Sequence, residues 1–351
     1  MRVLIVGGGL SGVCLAHQLE QRNVDYKIID KGKNHSSVIA AGMINPMVFR
    51  KMVKTWKGDD LIPYLKTFYP YVESKVGASF FFPRKIRRLF STPEEAELWK
   101  QREQDNNYSD YIFRNDQNTT QDTPDYAKAK HGAGIVNSPG YIDSRIFMKS
   151  NHTYFLQQNK LDFSYFDFQQ LDPVTASYKG EKYDAIVFSE GYQAKENPYF
   201  KYLPLNQTKG EVLIVSSQEL RKDEILNRKC FVLPTQDGNY RLGATFDWDT
   251  TDVSTTEEGK TELLQQYAQL SSAELTVLDQ EAGIRPTVTD RRPLLGKHPT
   301  HEQLFIFNGM GTKGYMLAPY FANHFCDHLL NNEKLDEEVD IRRFQKKHFT
   351  A

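Results

Sequence analysis

The first thirty residues carry the pattern that most restricts how this chain can fold. A short apolar run, "RVLIV", leads directly into "GGGLSG"; a stretch with apolar residues at helical spacing follows, and a second apolar run, "YKIID", ends at Asp30. Apolar runs of this length beside glycines are typical of buried strands, and a period of 3.6 residues is typical of a helix. The order of strand, glycines, helix and strand predicts a βαβ unit, which is the start of an α/β fold.

The glycines of this unit form the motif G-x-G-x-x-G, with Gly7, Gly9 and Gly12 at its fixed positions. The first glycine permits a tight turn, the second lets a pyrophosphate approach the backbone, and the third lets helix and strand pack closely. Leu10 and Ser11 stand at the start of the helix, where backbone N–H groups and the helix dipole attract phosphate. The motif therefore predicts a phosphate-binding turn.

Asp30 closes the second predicted strand and is followed by Lys31. An acid about twenty residues after the glycines accepts a hydrogen bond from a ribose 2′-hydroxyl, which argues against a 2′-phosphate. The complete unit predicts that the chain binds a dinucleotide. By itself it does not separate NAD from FAD.

Composition limits the remaining function classes. The chain has 351 residues, with 44 basic against 45 acidic side chains, so no broad surface for a polyanion is required and nucleic acid is an unlikely partner. The basic run "RKIRR" at 84–88 is interpreted as a solvated edge strand, and the charged C-terminal stretch as a solvated helix. Three dispersed cysteines indicate neither disulfides nor a metal site, and no metal is predicted. With no signal peptide and no long apolar segment, the sequence predicts a cytoplasmic protein without a membrane span.

The length favours two lobes, and the strand and helix patterns of the first lobe are scattered along the chain. We predict a discontinuous Rossmann-like lobe formed by residues 1–78, 136–203 and 282–345. Residues 79–135 and 204–281 are predicted to form an inserted lobe built on an antiparallel sheet. Within it, "QDGN" between two strand-like runs predicts a hairpin.

Two downstream motifs carry a family resemblance. Residues 283–296 contain G-x-R-P-x-x-x-D followed by P-L-x-G, and residues 309–319 contain G-x-G-[ST]-[KR]-G-x-x-x-A-P. Together with the small-residue run "SSVIAAGMINP" at 36–46, they resemble the D-amino-acid, glycine and sarcosine oxidases from residue 1 to about residue 330. The resemblance implies a two-lobe α/β flavoprotein, α+β in its second lobe, that binds FAD noncovalently and oxidises an amino acid or a carboxylated secondary amine.

The same resemblance assigns roles to individual residues. In the family, the arginine of G-x-R-P pairs with the substrate carboxylate, and that position is Arg285 here. The backbone from Gly311 to Tyr315 and the charge of Lys313 are expected near the flavin, so Arg285, Lys313 and Tyr315 are the predicted catalytic residues. The predicted cofactor-binding residues are Gly7, Gly9, Leu10, Ser11, Gly12, Asp30, Lys31, Ala41, Gly42, Met43, Gly191, Gly309, Gly311, Thr312, Lys313, Gly314, Tyr315 and Met316.

The sequence leaves several questions open. Arg285 could be a structural partner of Asp290, and Phe231 stands where several relatives carry a substrate-covering tyrosine, which makes a small polar amino acid less certain as the substrate. The 309–319 tail also resembles the oxidase domain of a bacterial tRNA wobble-uridine enzyme, so an amine on a tRNA is an alternative to a small molecule. The sequence is also compatible with a dehydrogenase whose acceptor is not oxygen, with a flavin-binding protein without amine turnover, and with an NAD-dependent enzyme.

Overall fold

The computed structural model describes residues 1–33, 35–113, 122–250, 252–345 and 349. No helix within these ranges is long and apolar enough to cross a bilayer. The helices are α1 (Leu10–Gln21), α2 (His35–Ile39), α3 (Gly58–Val76), α4 (Pro93–Gln104), α5 (Ser144–Gln157), α6 (Glu257–Leu270) and α7 (Gly314–Asn331). The strands are β1 (Arg2–Val6), β2 (Asp25–Asp30), β3 (Met43–Ile44), β4 (Met47–Val48), β5 (Val53–Lys54), β6 (Phe81–Phe82), β7 (Lys85–Leu89), β8 (Ala133–Val136), β9 (Gly140–Ile142), β10 (Leu161–Phe163), β11 (Leu171–Asp172), β12 (Ser177–Tyr178), β13 (Glu181–Lys182), β14 (Ala185–Phe188), β15 (Leu205–Ser216), β16 (Glu224–Asn227), β17 (Phe231–Pro234), β18 (Tyr240–Gly243), β19 (Thr276–Val288), β20 (Leu294–Lys297) and β21 (Leu304–Asn308).

A six-stranded sheet contains the predicted βαβ unit, in the order β10-β2-β1-β14-β21-β20. Val3 of β1 pairs in parallel with Tyr26 of β2 on one side and with Ala185 of β14 on the other. The chain leaves β1 for β2 on one side and returns later to β14 on the opposite side. The carboxyl end of β1 is therefore the point at which the strand order switches, and open α/β sheets bind their ligands at such points.

Both faces of this sheet are covered. Val3 and Ile5 belong to the core beneath α1 and α7, whereas Leu4 and Val6 belong to the core on the opposite face. All four side chains are at most 3% exposed. The side chains of β1 are apolar on both faces of the sheet because each face is covered by a packed layer, as expected for a parallel sheet.

A second sheet has seven strands in the order β19-β15-β18-β17-β16-β7-β8. The predicted hairpin is β17–β18, with Val232 opposite Leu242. The long strands β15 and β19 pair from Leu205 and Val288 to Ser216 and Thr276. The chain thus has the predicted two-lobe α/β architecture, and the boundary predicted at residue 282 falls inside β19.

The interpretation of "RKIRR" as a solvated edge strand is wrong. Strand β7 lies between β16 and β8, and Arg87 and Arg88 are 1% and 4% exposed. Arg87 is buried because Glu224 of the neighbouring strand accepts two hydrogen bonds from it, each 2.9 Å long. The sequence suggested solvated charges, but the charge of Arg87 is neutralised by Glu224 inside the sheet.

Candidate active site

One cavity of about 580 Å³ runs from the glycine loop after β1 to the exposed face of the seven-stranded sheet. It is large enough for a sizeable cofactor or ligand. The structure brings most of the predicted site residues to it, namely Gly7, Gly9, Leu10, Ser11, Asp30, Lys31, Ala41, Gly42, Met43, Gly191, Arg285, Gly311, Thr312, Lys313, Gly314 and Tyr315.

Three predicted cofactor-binding residues do not line this cavity. A Cβ atom at Gly12 would lie 1.9 Å from the carbonyl oxygen of Gly7, so Gly12 allows the helix to approach the strand. Gly309 has a φ of +75°, and a Cβ there would lie 2.7 Å from a methyl group of Val288. Met316 is fully buried in the core beneath α7. These residues shape the walls of the cavity from behind.

Asp30 organises the glycine loop as well as lining the cavity. Its Oδ2 accepts a hydrogen bond of 2.6 Å from the backbone N–H of Gly8, and its Oδ1 accepts one of 2.6 Å from Gly32. The carboxylate is 5% exposed, and these donors compensate its desolvation. Asp30 therefore holds together the two turns between which a nucleotide ribose is predicted to lie.

Arg285 lies near the end of β19 with its guanidinium in the cavity. Its Nη1 donates to the carbonyl oxygens of Lys209 and Thr245, each at 3.2 Å, and the guanidinium lies 4.4 Å from the ring centre of Phe246. Burial lowers its pKa to about 10, so it stays charged at neutral pH. Among the described residues, no acid pairs with Arg285, and neither its Nε nor its Nη2 donates to any group.

The alternative that Asp290 neutralises Arg285 is wrong. Asp290 forms an ion pair with Arg343 instead, with the Nε of Arg343 2.8 Å from Oδ2. The C-terminal turn Ile341–Phe344 supplies this arginine from a segment distant in sequence. The free donors of Arg285 therefore face the cavity rather than a protein carboxylate.

Lys313 stands at the start of α7 and fastens a small hairpin, β4–β5. Its Nζ donates to the carbonyl oxygen of Asn45 at 2.8 Å and to the Oγ1 of Thr55 at 2.6 Å. These acceptors flank the two strands of the hairpin, whose turn carries Phe49 against the cavity. Desolvation without a counter-charge lowers the pKa of Lys313 to about 7. Lys313 therefore joins the start of α7 to this hairpin.

The side chain of Tyr315 is held by the protein. Its hydroxyl donates to the carbonyl oxygen of Ser37 at 2.7 Å, and the residue is 3% exposed. The hydroxyl of Tyr69 donates to the Tyr315 carbonyl oxygen at 2.6 Å. Tyr315 thus ties α7 to the segment after β2, and its hydroxyl is already used in doing so.

The structure adds cavity residues that sequence reasoning did not name. Phe246 lines the cavity beside Arg285, Phe49 lines it with its ring at the guanidinium of Arg88, and Glu190 lines the end near the glycine loop. Burial raises the pKa of Glu190 to about 7, although its Oε2 accepts a 2.6 Å hydrogen bond from Asn197. Among these residues, only Glu190 could have been found from the sequence, because it stands next to a glycine at the end of a strand. The phenylalanines lie in loops with no motif.

Comparison with known proteins decides the family. The family described as FAD dependent oxidoreductase, DAO, matches residues 2–328 of this chain. The chain belongs to the DAO family. It is therefore an FAD-dependent oxidoreductase.

Two curated relatives and two solved structures illustrate the similarity. Glycine oxidase of Pseudomonas putida is 23% identical over 371 residues, which cover 95% of this chain and 96% of that protein. The tRNA 5-methylaminomethyl-2-thiouridine biosynthesis bifunctional protein MnmC of Marinobacter nauticus is 20% identical over 99% of this chain, which spans 59% of that protein. Crystal structures of glycine oxidase from Geobacillus kaustophilus and iminodiacetate oxidase from Chelativorans share the fold, with TM-scores of 0.80 and 0.76. Each is 20% identical to this chain. The alignment covers 100% of both chains for the glycine oxidase and 98% of both chains for the iminodiacetate oxidase.

The cavity of this DAO-family protein fits the cofactor of its family. Gly191 and Gly311 have φ values of +61° and +57°, and a Cβ at either would meet no protein atom within 4 Å, so the backbone there borders open space. Helices α1 and α7 both start at this cavity with no side-chain cap from the N-cap residue and no acid in the first turn, and at α1 the Oγ of Ser37 accepts a 3.0 Å hydrogen bond from the N–H of Leu10. Their N–H groups can therefore receive the negative charge of a pyrophosphate and of a reduced flavin.

Proposed function

We propose that this DAO-family protein oxidises a carboxylated amine, with Arg285 as the carboxylate clamp. The observation that carries the proposal is the guanidinium of Arg285, which is charged and largely buried and keeps Nε and Nη2 free of described protein acceptors. A buried charge without a partner is costly, and a carboxylate is the anion whose two oxygens match the planar fork of arginine. A bound substrate would supply that anion.

The chain's own contribution to the reaction is positioning. Bound FAD supplies the acceptor for the hydride that leaves the amine-bearing carbon. Arg285 fixes the carboxylate, and thereby the neighbouring carbon, at one end of the cavity, which reduces the entropic cost of reaching the reactive geometry. Gly42, Gly311 and the first turn of α7 are the groups proposed to hold the flavin ring, and the product imine hydrolyses in water.

Lys313 is proposed to hold the hairpin β4–β5 in place at the start of α7. Its contacts with Asn45 and Thr55 keep Phe49 at the cavity wall. A charge at this position would also favour negative charge on a reduced flavin. Either role predicts that Lys313→Met slows reduction of the flavin.

A small molecule is the proposed form of the substrate. A free amino acid and a carboxylated amine on a nucleoside would both place a carboxylate on Arg285. The formal net charge of −1 offers no general attraction for a polyanion. Electrostatics therefore favour the small molecule.

The test is anaerobic reduction of the purified holoprotein by pairs of amines that differ only in the carboxylate, such as N-methylglycine and dimethylamine. We expect only the carboxylated member to bleach the flavin, and Arg285→Ala to weaken its binding at least about tenfold. Arg292→Ala removes an arginine of the same segment outside the cavity and serves as the control. Equal bleaching by both members, unaffected by Arg285→Ala, would refute the clamp.

A further inference from the structure

The floor of the cavity beside Arg285 is formed by glycines of three paired strands. Gly283 of β19 pairs with Gly210 of β15, and Gly243 of β18 pairs with both Val212 of β15 and Phe231 of β17. Residues paired directly across antiparallel strands lie on the same face of a sheet. The three glycines therefore leave few side chains on this part of the face that borders the cavity, with Val212 between Gly210 and Gly243.

Arg285 and Phe231 lie over this floor. A Cβ at Gly210 would be 2.0 Å from the Nη2 of Arg285, and a Cβ at Gly243 would be 3.0 Å from the Cζ of Phe231. The guanidinium thus covers β15 and the phenyl ring covers the adjacent strand β18. Neighbouring strands are about 5 Å apart. A molecule whose carboxylate contacts Arg285 would place its next few atoms against Phe231.

The walls near Phe231 are almost entirely apolar. Val48 and Phe49 come from the hairpin β4–β5, and Ala244 and Phe246 come from the loop after β18. None of these side chains has a hydrogen-bonding group. A hydroxyl or amide on a bound molecule would lose water there without a replacement partner, which costs about 1–3 kcal/mol in proteins.

The strand paired with Phe231 and the turn before it add three polar residues to the lining, namely Asn227, Lys229 and Cys230. Asn227 lines the cavity, but its Oδ1 accepts a 3.0 Å hydrogen bond from Arg88. Cys230 is 1% exposed, and burial raises the pKa of its thiol to about 12, so it is present as the weakly polar thiol. Lys229 is exposed at the mouth. Asn227 pairs with Phe231 across the antiparallel strands, so its amide nitrogen is a donor beside this ring, and the apolar contact surface is that of Phe231, Phe49 and Phe246.

Phe246 is an exposed aromatic ring held in a fixed place. It is 57% exposed, yet the residues on either side are tied to β15: the N–H of Thr245 donates to the carbonyl of Glu211, and Asp247 exchanges two backbone hydrogen bonds with Lys209. One side of the ring meets the guanidinium of Arg285 at 4.4 Å. The rest of the ring remains open, and an apolar group of a bound molecule could cover it.

We infer that the amine carries an apolar, planar substituent that packs against Phe231 and Phe246 while its carboxylate rests on Arg285. An aryl-substituted amino acid or N-arylmethyl glycine belongs to this class. Glycine itself and amino acids with polar side chains do not fill these walls. The inference rests on the proposed function, because the clamp determines where the substituent lies.

The test measures binding without turnover. Carboxylates that cannot be oxidised as amines, namely phenylacetate, acetate and glycolate, are titrated into the holoprotein, and the change in the flavin spectrum reports binding. We expect phenylacetate to bind at least about fivefold more tightly than acetate, as ring packing in such sites predicts, and glycolate to bind no better than acetate. Similar affinities for all three would overturn the inference.

Variants separate this inference from the clamp. Phe246→Ala should reduce the ratio of phenylacetate to acetate affinity, whereas Trp248→Ala, an equally exposed ring two residues along the loop but outside the cavity, should leave the ratio unchanged. An unchanged ratio in Phe246→Ala would overturn the placement of the substituent. If no carboxylate changes the flavin spectrum, or if Arg285→Ala affects none of them, the proposed function itself fails. Equal binding of all carboxylates through Arg285 would remove only the inference.

Discussion

The guanidinium of Arg285 lies against Gly210, so closely that a Cβ there would be 2.0 Å from Nη2. The two residues belong to paired strands, β19 and β15, and the missing side chain creates the space in which the guanidinium lies flat on the sheet. The position of the charge is therefore determined by a glycine on another strand as well as by the arginine. This relationship can be tested separately from the arginine.

Gly210→Ala should displace the guanidinium, because the added methyl group would overlap with it. We expect carboxylate binding to weaken at least about tenfold, as for the loss of a charged hydrogen bond, with a smaller loss in unfolding free energy. The measurement is the titration of acetate into the holoprotein. In a double-mutant cycle, Gly210→Ala should change little once Arg285→Ala is present. Additive losses would show that Gly210 acts on something other than Arg285.

Phe231→Tyr should change selectivity towards polar ligands. The substitution adds a hydroxyl to the apolar ring that borders the cavity, so a hydroxyl on the ligand gains a partner. We expect the affinity ratio of glycolate to acetate to rise by up to about tenfold, and Phe231→Leu, which adds no polar group, to leave that ratio unchanged. A ratio that moves equally in both variants would contradict the role of the hydroxyl.

Lys313 should make folding stability depend on pH. Burial lowers its pKa to about 7 in the folded chain, whereas an unfolded lysine titrates near about 10.4. Between these values the unfolded chain binds more protons, so the stability contribution of this group rises as pH rises through the window. Urea unfolding of the parent holoprotein and Lys313→Met at pH 7 and pH 9.5 should show the parent gaining stability relative to the variant at the higher pH.

Lys229→Met is the matched control for this titration, because it removes an exposed lysine from the mouth of the same cavity. Its unfolding free energy should follow the parent protein at both pH values. A parent-to-variant difference for Lys313→Met that is the same at pH 7 and pH 9.5 would rule out a depressed pKa at this position.

The pair of Arg87 and Glu224 should be important for stability. Glu224→Ala removes two 2.9 Å hydrogen bonds from an arginine that is 1% exposed and leaves the longer ion pair with Asp122 at 3.6 Å, so we expect a loss of about 3 kcal/mol in urea unfolding. The double substitution Arg87→Met with Glu224→Leu fills the same space with apolar groups and should recover much of that loss. A double variant no more stable than Glu224→Ala would show that the cost comes from packing rather than from the lost pair with Glu224.

Local sequence patterns determined the nucleotide-binding unit. The apolar run of β1, the glycines at 7, 9 and 12 and the acid at 30 all lie within about thirty residues, where spacing along the chain specifies which groups meet. The apolar neighbours of Arg285 in sequence likewise predict an anion as its partner, and this stays a prediction. The family motifs added FAD and the two-lobe fold, which the family match confirms.

Long-range pairing decided the rest. Which acid meets which arginine depends on strands and turns that join distant segments: Asp290 pairs with Arg343, Arg87 pairs with Glu224, and the C-terminal stretch predicted as a solvated helix instead buries Leu335 and Val339. The backbone carbonyl that receives Arg285 lies 76 positions away. Such contacts are set by strand register and by the packing of two lobes, and the period of a short segment carries no information about either. The tertiary structure therefore determines the glycine floor, the position of Phe246 and the contacts by which Lys313 holds the hairpin β4–β5.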